Sequence, residues 1–252
     1  MAALACAGPG AAASVVDFVR EFKRAGRAPS CDILFSMVRQ ALAILVALAA
    51  LSPAAGRAVY AQAAAPETLK TPEALTEQAP AVYRARFDTS QGPFVIEVHR
   101  EWAPLGADRF YNLVKNGFYD GTRFFRVLDG FMVQWGLNGD PAIQRPWQLA
   151  NLRDEPVTQS NTRGVVSFTK ESSPHSRYTM VFINYKDNSN LDADGFVPFG
   201  RVISGMEIVD KLYSGYGRAN VPDQRRIVRE GNAYLAAEYP KLDFVKTATI
   251  EK

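Results

Sequence analysis

The stretch GTRFFRVLDGFMVQWG, residues 121–136, constrains the fold more than any other: two aromatic-rich runs meet at Asp129-Gly130. Asp-Gly between apolar runs is a hairpin signal, because glycine accepts the positive φ that a tight turn demands. Gly130 is the midpoint, with Arg126 four residues before it and Gln134 four after. A hairpin therefore sets these two side chains opposite each other on one face. On this stretch alone, a solvent-facing arginine is the plainer explanation. An arginine beside a glutamine, among Phe, Val, Leu, Met and Trp, is nonetheless the first functional candidate.

The rest of the chain supplies more short strands. YRARFDTS and PFVIEVHR alternate about a Ser-Gln-Gly turn, and GVVSFTK, YTMVFINY, FVPFGRVIS and FVKTATIEK read the same way. APLGADRFYNLVKNGFY is an amphipathic helix, with Pro104 in its first turn, an apolar stripe of Ala107, Phe110, Leu113 and Val114, and Gly117 at its end. GMEIVDKLYSGY is a second short helix, and a third lies within VPDQRRIVREGNAYLAAEYP, where Ile227, Val228, Gly231, Tyr234 and Leu235 share a face. A long polar connection is expected from the hairpin to residue 162. Many short strands with a few isolated helices predict a mainly β domain, a closed antiparallel barrel or sandwich with helices outside it.

Charge and cysteine usage exclude several functions. The net charge is +3, but residues 1–61 hold six Lys/Arg against three Asp/Glu, so the remainder is balanced and lacks the basic cluster a nucleic-acid surface needs. Cys6 and Cys31 are the only cysteines and His99 and His175 the only histidines, which leaves no Cys/His zinc site. Arg39, the apolar run Ala41–Leu51 and the small residues around 59–63 read as a secretory signal peptide over 37–63. Its apolar run is far shorter than the ~20 residues of a membrane span. Residues 1–36 are then an over-extended start outside the fold, 64–80 a flexible leader, and 81–252 one domain. The mature chain is expected to begin at Gln62 or Ala64, to be exported and, in a bacterium, to be soluble in the periplasm without stable membrane association.

Taken together, FDTSQGPFVIEV, ADRFYNLVKNGFYDGTRFFRVLDGFMVQWG, GVVSF, VFI and FGRVISGMEIVDKL resemble the cyclophilins, peptidyl-prolyl cis/trans isomerases. The resemblance runs from about Tyr83 to Gly217 and resumes in the last strand, leaving 218–240 as a helical insertion. It implies a closed eight-stranded antiparallel barrel capped by two helices, and catalysis of X-Pro rotation without metal or cofactor. It also implies proline-containing polypeptides as partners and a role in folding exported proteins. By the same resemblance Arg126 is the catalytic arginine and Gln134 its partner. Phe131, Met132, Phe182 and Leu191 then form the proline pocket, and Thr169 and Lys170 lie on the substrate-backbone side.

Three positions depart from the family pattern. Met180 stands where a second glutamine is usual, Asn190 where a tryptophan precedes Leu-Asp, and Phe196 (or Gly195) where a histidine precedes the Phe-Gly strand. The tryptophan donates its indole N–H to the inhibitor cyclosporin in the family, so Asn190 implies weak or no binding of that drug. The departures also keep open a cyclophilin-fold binding module, a chaperone or scaffold with low turnover. Two decoys are set aside. NLDADG imitates an EF-hand start, but the first ligand is Asn190 and the twelfth position is Arg201 rather than Glu. His175 lies between serines in SSPHS without a GxSxG-type elbow, so a hydrolase is not expected.

Overall fold

Strands Val82–Thr89 (β1) and Pro93–His99 (β2) form because their alternation lets one face go inward. Tyr83, Ala85 and Phe87 are buried while Val82 and Arg84 face out. Phe87 lies opposite Phe94 in the antiparallel pair, and the two rings stack at 5.2 Å. The computed structural model describes residues 67–251. The expected start at 1–36 and the signal segment 37–63 lie outside the described residues, as do 64–66.

Helix α1, Pro104–Lys115, follows as its stripe predicts, with Ala107, Phe110, Leu113 and Val114 all buried. Each of the larger side chains contributes roughly 1.5–3 kcal/mol by leaving water. Then come β3 (Arg126–Leu128), β4 (Met132–Trp135), α2 (Pro141–Trp147), β5 (Val165–Phe168) and β6 (Val181–Asn184). The one-turn helix α3 (Asn190–Ala193), β7 (Pro198–Ser204), the one-turn α4 (Met206–Val209), α5 (Gln224–Glu238) and β8 (Val245–Ile250) complete the order.

The eight strands make one antiparallel sheet in the order β3-β4-β6-β5-β7-β2-β1-β8. It curls around a core in which Phe87, Phe94, Phe110, Tyr119, Trp135 and Phe199 are fully buried. The closure expected from the resemblance is not seen as strand pairing. β3 is only three residues long, and its side of the sheet meets the β8 side through the isolated bridge Arg123↔Phe244. The segment just ahead of β3, not β3 itself, makes the bonds across this seam, Phe124 N to Asp243 O at 3.0 Å and Val245 N to Thr122 O at 2.9 Å. The sheet is curled and open, not a sealed barrel.

Three further expectations are corrected. The connection before residue 162 contains α2, nucleated by Asp140, whose carboxylate accepts from Ala142 N at 2.8 Å, and by Pro141 in its first turn. The second helix is a single turn rather than the whole of GMEIVDKLYSGY. Finally, residues 67–80 are not a loose leader. They form two 3-10 turns and lie along the domain, with Leu69 fully buried and its carbonyl accepting the Trp147 indole N–H at 2.7 Å. Asn112 Nδ2 donates to Glu77 O at 2.7 Å, and Ala79 N donates to the Asp108 carboxylate at 2.9 Å. Their Ala/Pro/Glu/Thr composition hides this, because one leucine and a few backbone groups do the docking.

Helix α5 occupies the expected insertion. Asp223 caps it by accepting from Arg225 N and Arg226 N. Its Ile227, Val228, Tyr234 and Leu235 are buried in a second core with Phe125, Leu137, Met180 and Leu242. The helix breaks at Gly231, with φ 62° and ψ −147°, where a Cβ would sit 2.1 Å from Gly139 O. Only glycine fits that approach, and Asn232 N then donates to the same carbonyl at 2.9 Å.

Candidate active site

The β3–β4 hairpin pairs Arg126 with Gln134, Val127 with Val133 and Leu128 with Met132. Gly130 turns the chain at φ 64°, and Phe131 N closes the turn by donating to Leu128 O at 3.0 Å. On the next strand Gln134 pairs with Phe182. One cross-strand row, Arg126–Gln134–Phe182, therefore crosses β3, β4 and β6.

Arg126 Nη1 donates to Gln134 Oε1 at 3.1 Å. Gln134 is only 3% exposed, and its Nε2 points at Met180 Sδ at 3.5 Å. A thioether is a weak acceptor, but here it receives the amide's donor end and leaves the oxygen end for the guanidinium. Met180 is held in turn by the second core beneath α5. Burial, and after it the neighbouring Arg218 guanidinium, lower Arg126 from the usual arginine range. An arginine so placed, half-buried beside Gln134, still carries its proton at neutral pH.

Beside this pair Leu128, Met132 and Phe182 form a small buried cluster, with Phe131, Leu191 and Phe196 packed against it. Phe182 and Phe196 meet edge to face, ring centres 5.7 Å apart. A cavity of about 270 Å³ opens here, lined by Arg126, Phe131, Met132, Gln134, Thr169, Lys170, Met180, Phe182, Leu191 and Phe196. Thus ten of the eleven sequence-stated candidates share one pocket. Asn190 does not line it; that side chain is exposed at the start of α3, while the next residue, Leu191, reaches the wall.

The loop carrying Leu191 and Phe196 is fixed from below. Asp192 accepts from Asn161 N at 2.9 Å and Asn161 Nδ2 at 2.7 Å, and Asn161 Nδ2 also donates to Phe196 O at 2.8 Å. Burial raises the Asp192 carboxyl, but the bonds from Ser160 and Asn161 outweigh it and hold the group below its ordinary value. Asn188 Nδ2 donates to Phe131 O at 2.8 Å, which ties the hairpin turn to the same loop. The EF-hand-like carboxylate is therefore engaged by its own fold. His175, outside the pocket lining, accepts from Asp154 N at 3.0 Å through Nδ1.

Four lining residues escaped sequence reading: Glu171, Ser176, Tyr178 and Gln224. Tyr178 was recoverable, because 178, 180 and 182 alternate onto one face. Burial, then the Glu171 carboxylate, push its hydroxyl up to about 12, so it stays a neutral donor. Gln224 comes from the first residue of α5, and nothing local to its sequence brings it there.

A family model described as cyclophilin type peptidyl-prolyl cis-trans isomerase/CLD matches residues 84–231, more than half of the chain. The chain belongs to the cyclophilin family. It is 38% identical over 146 residues to a peptidyl-prolyl cis-trans isomerase of Acinetobacter baylyi, covering 54% of this chain and 77% of that one. Peptidyl-prolyl cis-trans isomerase B of Escherichia coli is 32% identical over 134 residues, 50% of this chain and 81% of the relative. The fold is similar to the crystal structure of a Cryptosporidium parvum cyclophilin type peptidyl-prolyl cis-trans isomerase. That match has a TM-score of 0.52 at 21% identity over 68% of this chain and 98% of that one. The same parasite protein has also been crystallised in the presence of the dipeptide Ala-Pro. This cyclophilin is a peptidyl-prolyl cis-trans isomerase, and the family match ends inside α5.

Proposed function

We propose that Arg126, held by Gln134, is the donor that catalyses rotation about X-Pro bonds, with the proline ring seated on Phe131, Met132, Phe182, Leu191 and Phe196. The peptide bond resists rotation because the nitrogen lone pair is shared with the carbonyl, a barrier of roughly 18–20 kcal/mol. As the bond twists, that pair localises on the prolyl nitrogen and a donor aimed there stabilises the twisted state. An acceleration of about 10⁵ requires roughly 7 kcal/mol off the barrier. One preorganised donor supplies about 3–4 kcal/mol of it, and positioning with exclusion of water supplies the rest.

The observation that carries this reading is the 3.1 Å bond from Arg126 to a buried Gln134 in the wall of a cavity that also presents Phe131, Met132, Phe182, Leu191 and Phe196. A rotation needs no nucleophile; it needs apolar surface for the ring and a fixed donor, and the lining holds both, Phe131, Met132, Phe182, Leu191 and Phe196 together with the anchored Arg126. Thr169 N is already engaged with Met180 O at 2.9 Å, and Lys170 Nζ with Asp194 O at 3.0 Å. The substrate backbone therefore meets a segment whose own conformation is set.

We place the enzyme after export, acting on proline-containing segments of exported proteins as they fold. The signal-like stretch 37–63 supports this, with cleavage after Ala61 or Ala63. Exchange spectroscopy on an Ala-Pro test peptide with the mature chain, in parallel with Arg126→Ala, tests the catalytic part. Turnover equal in the two proteins would end it. Intact mass of the protein from cell fractions tests the location; a cytosolic chain retaining Met37 would end that part separately.

A further inference from the structure

The segment leading into α5 brings a second guanidinium, Arg218, onto the Phe131 ring at the rim of the pocket, although Arg218 does not line the cavity itself. Arg218 is exposed, and its Cζ lies 5.5 Å from the centre of the Phe131 ring, the outer wall of the proposed proline seat. Its charge is felt at Arg126, where it adds to the effect of burial. Among the described residues, no carboxylate lies within 4.0 Å of either guanidinium. The nearby acid of the hairpin turn, Asp129, instead accepts from Ser214 Oγ at 3.0 Å. Among the described residues Arg84, Arg86, Arg100, Arg163, Arg177, Arg226 and Arg229 have carboxylate partners, whereas Arg109, Arg123, Arg145, Arg153, Arg201 and Arg225 share the lack of one with Arg126 and Arg218; what sets the last two apart is their place at Phe131 and Gln134.

The cavity lining also holds a balanced pair. Lys170 and Glu171 both line it, so their charges offset each other. Two guanidiniums without an ion-pair partner are thus left near Phe131: Arg126 in the cavity lining and Arg218 over the ring, with Asp129 of the turn bonded to Ser214 and not to either of them. The Phe131 face lies within cation–π range of Arg218, which favours this position of the guanidinium over a fully solvated one.

We propose that Arg218 makes this isomerase prefer proline segments that carry an aspartate or glutamate flanking the proline, the acidic side chain lying beside the Phe131 wall against Arg218. The residue acts on specificity and not on the rotation itself, which remains with Arg126. The inference rests on the isomerase reading of that site, and it adds a second use for the insertion, whose α5 already backs Met180 and supplies Gln224 to the wall. An exposed ion pair of this kind supports a preference of roughly two- to five-fold for acidic over neutral peptides at low salt. Screening removes it at about 1 M salt, where charges act over only ~3 Å.

The test uses the mature chain and fluorescein-labelled Ala-Pro peptides bearing one Glu, Gln or Lys at each of the two positions on either side of the proline. Anisotropy gives affinities, and exchange spectroscopy gives kcat/KM on the same peptides. Expected is a Glu-over-Gln ratio of about two to five at one flanking position, a ratio below one for Lys there, and decay of both with salt. Arg218→Ala should bring the Glu/Gln ratio to about one, Arg218→Glu should invert it, and Arg218→Lys should retain part of it. A ratio near one at all four positions, or a preference that survives Arg218→Ala, overturns the inference. If the Gln peptides bind but are not turned over, the isomerase reading fails, and the affinity ratios still decide the role of Arg218.

Discussion

Replacing Arg126 with lysine keeps the charge and removes the fork. In the structure one guanidinium nitrogen is anchored on Gln134 at 3.1 Å, which leaves the other nitrogens held in a plane. Lysine offers a point charge on a flexible stem, and no second nitrogen remains to be anchored while the first faces substrate. Losing one preorganised donor costs about 2.7–4 kcal/mol of transition-state stabilisation, a factor on the order of 10²–10³ in turnover. Arg126→Lys should therefore fall within about three-fold of Arg126→Ala in kcat/KM, both down by roughly a hundred-fold or more. The residual activity should also acquire a pH dependence. The surroundings that lower Arg126, burial first and Arg218 second, act on a lysine whose free value is about 10.4. A lowered cation loses its proton as pH rises, so residual turnover of the lysine variant should decline on the alkaline side while the arginine enzyme stays flat. Exchange spectroscopy on an Ala-Pro peptide reads all of this, with melting curves showing that the variants remain folded. A Gln134→Ala partner completes a cycle: if Gln134 acts by holding Arg126, the double variant should lose little beyond Arg126→Lys alone. A lysine variant with more than about a third of the parent turnover, or strictly additive losses, would refute the positioning role of Gln134.

Other expectations follow from the site and the insertion. Cyclosporin should inhibit weakly, because Asn190 lacks the indole donor and apolar surface of a tryptophan, together worth about 2–4 kcal/mol; Asn190→Trp should tighten inhibition at least ten-fold, and an unchanged titration would count against that placement. Asp192 has a lowered carboxyl pKa, so its support of the Leu191–Phe196 loop is present above the free value near 3.9 and is lost as pH falls through the folded one. Peptide affinity should thus hold from pH 7 to about 5 and drop in stronger acid, and Asp192→Asn should weaken binding and remove that step. Gly231→Ala should destabilise by at least ~3 kcal/mol, since the new Cβ meets Gly139 O at 2.1 Å and the backbone stays in a glycine-only region. For a domain of this size that is a fall of roughly 6–12 °C in Tm; a loss below ~1 kcal/mol by denaturant titration would contradict the tight approach.

The hairpin, the first helix and the strand set were legible because their signals are local: Asp-Gly, period-2 runs, and a 3.6-residue stripe ending at glycine. The Arg126–Gln134 pairing follows from the same symmetry about Gly130. What sequence could not show depends on partners far along the chain. Helix α2 is short and contains Pro146, so its pattern is weak, and its stability comes from a buried Trp147 and the cap at Asp140. The reason for Met180 is legible only in three dimensions: its side chain belongs at once to the pocket wall and to the core under α5. A glutamine there would place an amide in the apolar cluster that holds Ile227, Val228 and Leu235. The placement of Asn190 outside the pocket is likewise a matter of one residue of helical turn, which spacing alone does not resolve.

The docked segment at 67–80 has a consequence for the order of events in folding. Leu69 lies near the start of the described chain, yet the indole that binds its carbonyl is 78 residues further on. Asn112 and Asp108, which hold Glu77 and Ala79, arrive earlier, so docking can begin at its C-terminal end and must finish at its N-terminal end. The loop that closes is long, and the entropy of closing it is met only when α2 already stands to receive Leu69. Seating of this residue is thus a late, non-local event that reports completion of the domain. The cooperative folding unit accordingly starts well ahead of residue 84, where likeness to the family begins. A chain trimmed to that likeness would leave the Trp147 N–H facing no acceptor and the groove for Leu69 open to water.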